Sequence, residues 1–160
     1  MDSEAGPVLP RLRPFERARD FEGMFTVTRE ILGRPPYDAA RRELLEYPAK
    51  AVVAHVAETE REGVVGFCAA TYPYWNAVAM VDYLVVAPGW RRRAVGAGLL
   101  EAVEAALRAA RLRRVCVQTA AWNADAVRFY ERRGYRRLAG MAGYLGDGEA
   151  LTMVWLDKPL

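Results

Sequence analysis

Val86-Ala87-Pro88-Gly89-Trp90-Arg91-Arg92-Arg93-Ala94-Val95-Gly96-Ala97-Gly98 is the stretch on which the fold turns. It follows residues 77–86, apolar on both faces as a strand inside a covered sheet would be. It precedes residues 95–111, where Val95, Leu99, Val103 and Leu107 form one stripe of a helix and Glu104 and Arg108 read as an i,i+4 pair on its outer face. Between strand and helix lie small residues and three consecutive arginines. Small residues let backbone N–H groups approach an anion, and a helix N-terminus adds partial positive charge. The turn therefore reads as a phosphate site.

Working outward toward the N-terminus, residues 64–72 and 50–58 read as strands of a hairpin around a charged turn at 59–63, with a second turn at Tyr72-Pro73-Tyr74-Trp75-Asn76. Residues 63–81 are uncharged, yet Gly66, Thr71, Pro73 and Asn76 and the many β-branched and aromatic residues favour a buried hairpin over a membrane span. Residues 8–13 read as a first strand and about 17–32 as a helix. Arg34-Pro35-Pro36 breaks it, and Asp38 caps a second short helix ending before Pro48. Toward the C-terminus, 114–119 reads as a buried strand, Asn123 caps a helix to Arg133 that Gly134 ends, and 135–141 and 151–156 supply two more strands. The sum is a mixed α/β fold in one domain spanning 1–160, with about seven strands and helices on both faces.

At 160 residues and 52% hydrophobic composition the chain has material for a core without metal or disulfide staples. Its net charge of +3 is unevenly spread: residues 1–86 balance at −3, 87–140 at +8 and 141–160 at −2. All 12 basic residues of the middle segment are arginines, a field that attracts phosphates. Cys68 and Cys116 stand apart within apolar runs, with no metal-ligand spacing, and are expected as core residues of a cytoplasmic protein. The opening MDSEAGPVLP has acids and prolines where an export signal needs bases and an apolar run.

The spacing Val86-x-Pro88-x-x-Arg91-x-x-Ala94-x-Gly96 resembles the acyl-coenzyme A pyrophosphate motif of the GNAT superfamily of N-acetyltransferases, V-x-P-x-x-R/Q-x-x-G-x-G/A. Ala94 departs from its first glycine. A methyl group is tolerable there if φ is negative, and the expected effect is weakened cofactor affinity. Asn123-x-x-Ala126-x-x-Phe129-Tyr130-x-x-x-Gly134-Tyr135 is similar to the family's second signature, the helix along the pantetheine arm. The resemblance extends over nearly the whole chain.

It implies a largely antiparallel GNAT sheet and direct transfer of an acetyl group from acetyl-CoA, without a metal, to a primary amine. Leu84, Val85 and Val86 would pair with pantetheine as an added strand. Arg91, Arg92, Arg93, Ala94, Val95, Gly96 and Ala97 would hold the pyrophosphate, and Asn123 would bond near the pantetheine or an active-site water while also serving as an N-cap. Tyr130 would protonate the departing thiolate, its ordinary pKa near 10 suiting that step; the other reading of Tyr130 is a core aromatic.

A base must also take a proton from the amine. From Gly63 to Trp90 the one charged residue is Asp82, and a carboxylate among apolar neighbours is expected to have a raised pKa. It is the candidate base, directly or through water; a structural partner for an arginine is the alternative. Some family members carry the base five residues before the Asn of the second motif, here Gln118, which cannot serve. His55 reads as structural, and no activated Ser or Cys nucleophile is apparent.

Phe25, Tyr37, Tyr72, Tyr74 and Trp75 are candidates for the acceptor cleft. Tyr144-Leu145-Gly146-Asp147-Gly148-Glu149-Ala150-x-x-Met153 is similar to a segment of peptide and protein N-terminal acetyltransferases, one residue short of their pattern. A small amine and a peptide or protein amine therefore stand as equal acceptors. Neither nucleic acid nor membrane is expected as a partner, and the resemblance leaves room for a homodimer. A catalytically silent acyl-CoA-binding regulator is the alternative function, and a nucleic-acid binder using the basic segment a further one.

Overall fold

The computed structural model describes residues 9–32, 51–72, 77–143 and 152–160. Its strands are β1 (Arg11–Pro14), β2 (Ala51–Thr59), β3 (Gly63–Tyr72), β4 (Val78–Val86), β5 (Arg114–Ala120), β6 (Arg136–Met141) and β7 (Met153–Pro159). The helices described are α1 (Arg17–Leu32), α2 (Val95–Ala109) and α3 (Ala124–Glu131), with a short 3-10 turn at Pro88–Trp90. One seven-stranded sheet runs β1-β2-β3-β4-β5-β7-β6. Every neighbouring pair is antiparallel except β4 and β5.

Helices pack on both faces of the sheet, each presenting an apolar stripe, whereas the edge strand β6 is exposed throughout. Val95, Leu99, Val103 and Leu107 of α2 pack with Val127 and Tyr130 of α3 over Val81, Val115, Val117 and Leu156. On the opposite face Met24 and Val27 of α1 pack over Val56, Phe67, Ala69 and Val85. Gly66 brings α2 close to the sheet: a Cβ there would lie 2.9 Å from the Val85 carbonyl oxygen and 3.2 Å from Leu99 Cδ1.

A buried charge cluster fastens β1 to α1 and β2. Arg13 donates from Nη1 and Nη2 to the two carboxylate oxygens of Asp20, both at 2.7 Å, and from Nη2 to Glu58 at 2.6 Å. Asp20 also accepts from the Glu16 N–H at 2.7 Å, satisfying a donor at the start of α1. Burial works to raise the Asp20 pKa, but the Arg13 and Glu16 hydrogen bonds outweigh it and hold the carboxyl below its ordinary value.

Several boundaries differ from the sequence reading. Helix α2 stops at Ala109, and Arg111 turns left-handed at φ 64°. Helix α3 stops at Glu131, with Gly134 at φ 87° and the Tyr135 N–H returning to the Tyr130 carbonyl at 3.2 Å. Strand β7 runs on to Pro159, and both of its charged residues have partners: Asp157 pairs with Arg114, and Lys158 reaches Glu104 at 2.7 Å. Glu104 is a correction. It is buried rather than outward-facing, accepting from the Tyr135 hydroxyl at 2.9 Å and from Arg108 at 3.3 Å as well.

The short helix expected after Asp38 lies outside the described residues. Among the described residues no helix is long and apolar enough to cross a membrane, and no group of three or more His, Cys, Asp or Glu is placed to hold a metal ion.

Candidate active site

The site is organised by where β4 leaves its neighbour. In the β3–β4 ladder Ala69 faces Tyr83 and Ala70 faces Val81, so Asp82 is the extra residue of a bulge. Strand β5 pairs with β4 only from Val78 to Val81, opposite Arg114 to Val117. Past that point Leu84, Val85 and Val86 pair on one edge with Cys68, Phe67 and Gly66 of β3, and no described strand pairs their other edge. The result is an unpaired run of backbone donors and acceptors beside the divergent β5, the kind of edge an extended amide-bearing ligand completes.

Beyond β4 the Ala87 N–H still reaches the Val65 carbonyl at 2.8 Å, and the chain then makes the Pro88–Trp90 turn. Arg91 is extended, whereas Arg92 and Ala94 both stand at φ 60°. Here the sequence reading is corrected: Ala94 occupies the left-handed region, and its methyl is held in a conformation that favours glycine. Left-handed residues in such a turn direct successive N–H groups into a concavity for anions, and α2 starts at Val95.

Arg91, Arg92 and Arg93 are exposed. Arg91 Nε donates to the Val86 carbonyl at 3.1 Å, tying the turn to the end of β4. The Arg93 guanidinium lies 5.2 Å from the centre of the Trp90 ring, whose Nε1 donates to Glu62 at 3.2 Å. The Trp90–Glu62 contact anchors the turn to the β2–β3 connection, and no sequence pattern pointed to it. Val95 is buried, while Gly96 and Ala97 are half-buried. A Cβ on Gly96 would stand 3.5 Å from Val86 Cγ2 and 3.8 Å from the Phe129 ring, so the two sequence motifs meet here.

Asn123 caps α3, its Oδ1 accepting from the Ala126 N–H at 3.1 Å and leaving the Nδ2 hydrogens for another acceptor. Tyr130 is buried, with ring centres of Phe129 at 5.2 Å and Tyr135 at 5.3 Å in edge-on contact. Burial raises its pKa, so the hydroxyl stands protonated at neutral pH. Tyr135 is itself fixed by its bond to Glu104, making a buried support for Tyr130 that sequence spacing did not show.

Asp82 is exposed, which corrects the expectation of a carboxylate closed in by apolar neighbours. Its Oδ2 accepts from the Thr71 hydroxyl at 2.7 Å. Thr71 was missed because it comes beside Asp82 only through the bulge. Gln118 is half-buried on β5, one residue past the last β4–β5 pair. Burial lowers the His55 pKa, keeping the ring neutral, and raises both cysteine thiols, as befits unreactive core groups. Phe25 and Tyr72 pack against the two cores; Tyr37, Tyr74, Trp75 and the 144–150 segment lie outside the described residues.

An acyl-coenzyme A donor fits these residues. An unpaired strand edge, an anion-directed turn with three exposed arginines and a half-buried Gly96 adjoin one another, and Tyr130 lies next to Phe129, which borders Gly96.

The sequence profile of the acetyltransferase (GNAT) family matches residues 17–135. No curated protein shows a significant sequence match. Among solved structures the chain is similar to aminoglycoside 6'-acetyltransferase type Ii, with TM-score 0.80 and 19% identity over 93% of this chain and 96% of that one. It is also similar to the ribosomal-protein-S18-alanine N-acetyltransferase of Escherichia coli, with TM-score 0.79 and 15% identity over 93% and 92% of the two chains. A third similar structure is a GNAT phosphinothricin acetyltransferase of Sinorhizobium meliloti in complex with acetyl-CoA, with TM-score 0.77 and 17% identity over 96% and 89%. At these identities the likeness is one of fold.

Proposed function

The chain belongs to the acetyltransferase (GNAT) family, and from that premise we propose that it transfers an acetyl group from acetyl-CoA directly to a primary amine, with both substrates bound together. The observation that carries this reading is the unpaired edge of β4 at Leu84, Val85 and Val86, which leads into the turn of Arg91, Arg92, Arg93 and Ala94. Backbone pairing at that edge would seat the pantetheine amides, and the turn, with Val95, Gly96 and Ala97, would receive the pyrophosphate.

In the reaction the amine nitrogen attacks the thioester carbonyl carbon; a C–N bond forms and the C–S bond breaks. A backbone N–H of β4 would steady the oxygen that gains charge. The sulfur takes a proton from the Tyr130 hydroxyl. Burial raises the Tyr130 pKa above the ordinary value on which the sequence reading relied, so the hydroxyl is held protonated as a donor but is a weaker acid than expected. The proton lost by the amine passes through water to Asp82, whose carboxylate Thr71 orients at the strand bulge. Asn123 would donate its free Nδ2 hydrogens toward the pantetheine. Small amines and peptide N-termini both remain acceptors in this reading, since enzymes of this fold that act on aminoglycosides and on a ribosomal-protein alanine are both similar to the chain.

A screen for amine-dependent release of free thiol from acetyl-CoA, run over small amines and short peptides, tests the proposal. Tyr130→Phe is expected to lower kcat about 100-fold or more, and Asp82→Asn to lower it about tenfold or more. Acetyl-CoA binding without thiol release for any amine would identify a silent acyl-CoA-binding module instead. Unchanged turnover in either variant would remove that residue's role.

A further inference from the structure

Gln118 on β5 and Trp155 on β7 are directly opposite partners in the antiparallel ladder, so their side chains rise from one face of the sheet. That face is opposite the one on which Val117 and Leu156 pack under α2 and α3. Gln118 Oε1 and Trp155 Nε1 are both shielded from solvent, and neither has a hydrogen-bond partner among the described residues. A buried acceptor and a buried donor left open side by side are costly, and native proteins keep few such groups without a use. The other shielded polar atoms without partners differ in kind. Arg13 and Arg133 bind Asp20 and the Phe129 carbonyl through their other nitrogens, Asp157 is in an ion pair with Arg114, and His55 lies three strands away on β2.

The pair also has a telling position. Gln118 is the first residue of β5 after the strand parts from β4, at the mouth of the opening whose other wall carries Asp82 and Leu84. One open acceptor and one open donor match a neutral planar group that offers one N–H and one C=O.

We propose that Gln118 and Trp155 form an acceptor subsite for an amide adjoining the reactive amine, with Gln118 Oε1 taking the amide N–H and Trp155 Nε1 donating to its carbonyl. The substrate class is then α-amino amides, including peptide N-termini, in preference to amines without an adjoining amide. Gln118 would be a specificity residue rather than a base, because its side chain takes up no proton at working pH. This subsite rests on the acetyl-transfer reading above for its placement, but its binding is measurable without turnover.

Alaninamide and alanine methyl ester separate the two contacts, since the ester keeps the carbonyl and lacks the N–H. Binding of each to protein loaded with coenzyme A, which has no acetyl group to transfer, is followed by NMR titration, and kcat/KM is then measured with acetyl-CoA. The wild type is expected to favour the amide about tenfold in both readouts. Gln118→Leu should abolish that preference by weakening the amide alone. Trp155→Phe should weaken amide and ester alike, by about tenfold. Coenzyme A affinity, unchanged in both variants, serves as the folding control. A preference for amide over ester that persists in Gln118→Leu, or no preference in the wild type, overturns the proposal. Gln118-dependent amide binding without acetylation of any amine would uphold the subsite while defeating the proposed reaction.

Discussion

Ala94 carries a penalty that its neighbours make necessary. Arg91 is held to the Val86 carbonyl on one side, and the Gly98 N–H bonds the Ala94 carbonyl at 3.0 Å on the other, so the turn must close through a left-handed residue. For an L-residue that conformation costs roughly 1–2 kcal/mol, against roughly 0.5–1 kcal/mol of extra chain entropy for glycine. Ala94→Gly should therefore stabilise the protein by about 0.5–1 kcal/mol, raising Tm by about 2 °C with coenzyme A affinity kept or improved. A lower melting temperature in calorimetry would contradict the strain. The residue types at this turn were legible in the sequence, because the spacing of Val86, Arg91 and Gly96 resembles the family's pyrophosphate motif. The sign of φ at Ala94 was not: it follows from where two flanking hydrogen bonds anchor the chain. The exposure of Asp82 was hidden for a related reason, since a strand reads as continuous in sequence whether or not a bulge rotates one residue outward.

At the scale of elements, β1 has only four residues and depends on charge as much as on its ladder to β2. Arg13 joins β1 to Asp20 on α1 and Glu58 on β2, and Arg19 adds a second contact to Glu58 at 2.9 Å. The Arg13 hydrogen bond is the main cause that lowers the Glu58 pKa, and Asp20 is lowered as well despite burial. A carboxyl depressed on folding adds stability that is fully present above its unfolded pKa, about 4, and lost as pH falls through the folded value. Urea denaturation from pH 6 down to pH 2.5 should thus show a loss below about pH 4 that is smaller in Asp20→Asn, already destabilised at pH 6. Parallel acid profiles for the two proteins would rule the cluster out. Element types were readable from periodicity: the Val95, Leu99, Val103 and Leu107 stripe lies in the core as expected. Glu104 was misread because its partners Tyr135, just before β6, and Lys158, on β7, are distant in sequence, and local charge spacing suggested only Arg108.

For the whole molecule the arginines of the basic segment divide into those that pair with a carboxylate and those that have no ion pair among the described residues. Arg108, Arg114, Arg128 and Arg137 each pair with a carboxylate, and Arg133 stacks 3.9 Å from the centre of the Phe129 ring. Arg91, Arg92 and Arg93 have no ion pair among the described residues and gather at the turn after β4. Arg111 and Arg136 belong to the opposite end of the sheet. Arg111 lies just before the start of β5, and Arg136 faces Asp157, which in turn faces Cys116 near that start. Because β4 and β5 are parallel, the turn after β4 stands at the far end from both. If the field serves phosphate binding at that turn, place should matter and total charge should not. Arg92→Ser and Arg93→Ser should each raise the coenzyme A Kd about tenfold, equivalent to about 1.4 kcal/mol. They should also make it less sensitive to salt, since each removes one screened attraction. Arg111→Ser with Arg136→Ser removes two charges from the protein and should leave Kd within about twofold, because exposed charges beyond a Debye length of about 10 Å are largely screened at 0.1 M salt. Calorimetric titrations at low and moderate salt separate the cases: an equal loss in both sets would show that coenzyme A responds to the overall positive charge of the segment and not to the turn that the fold builds.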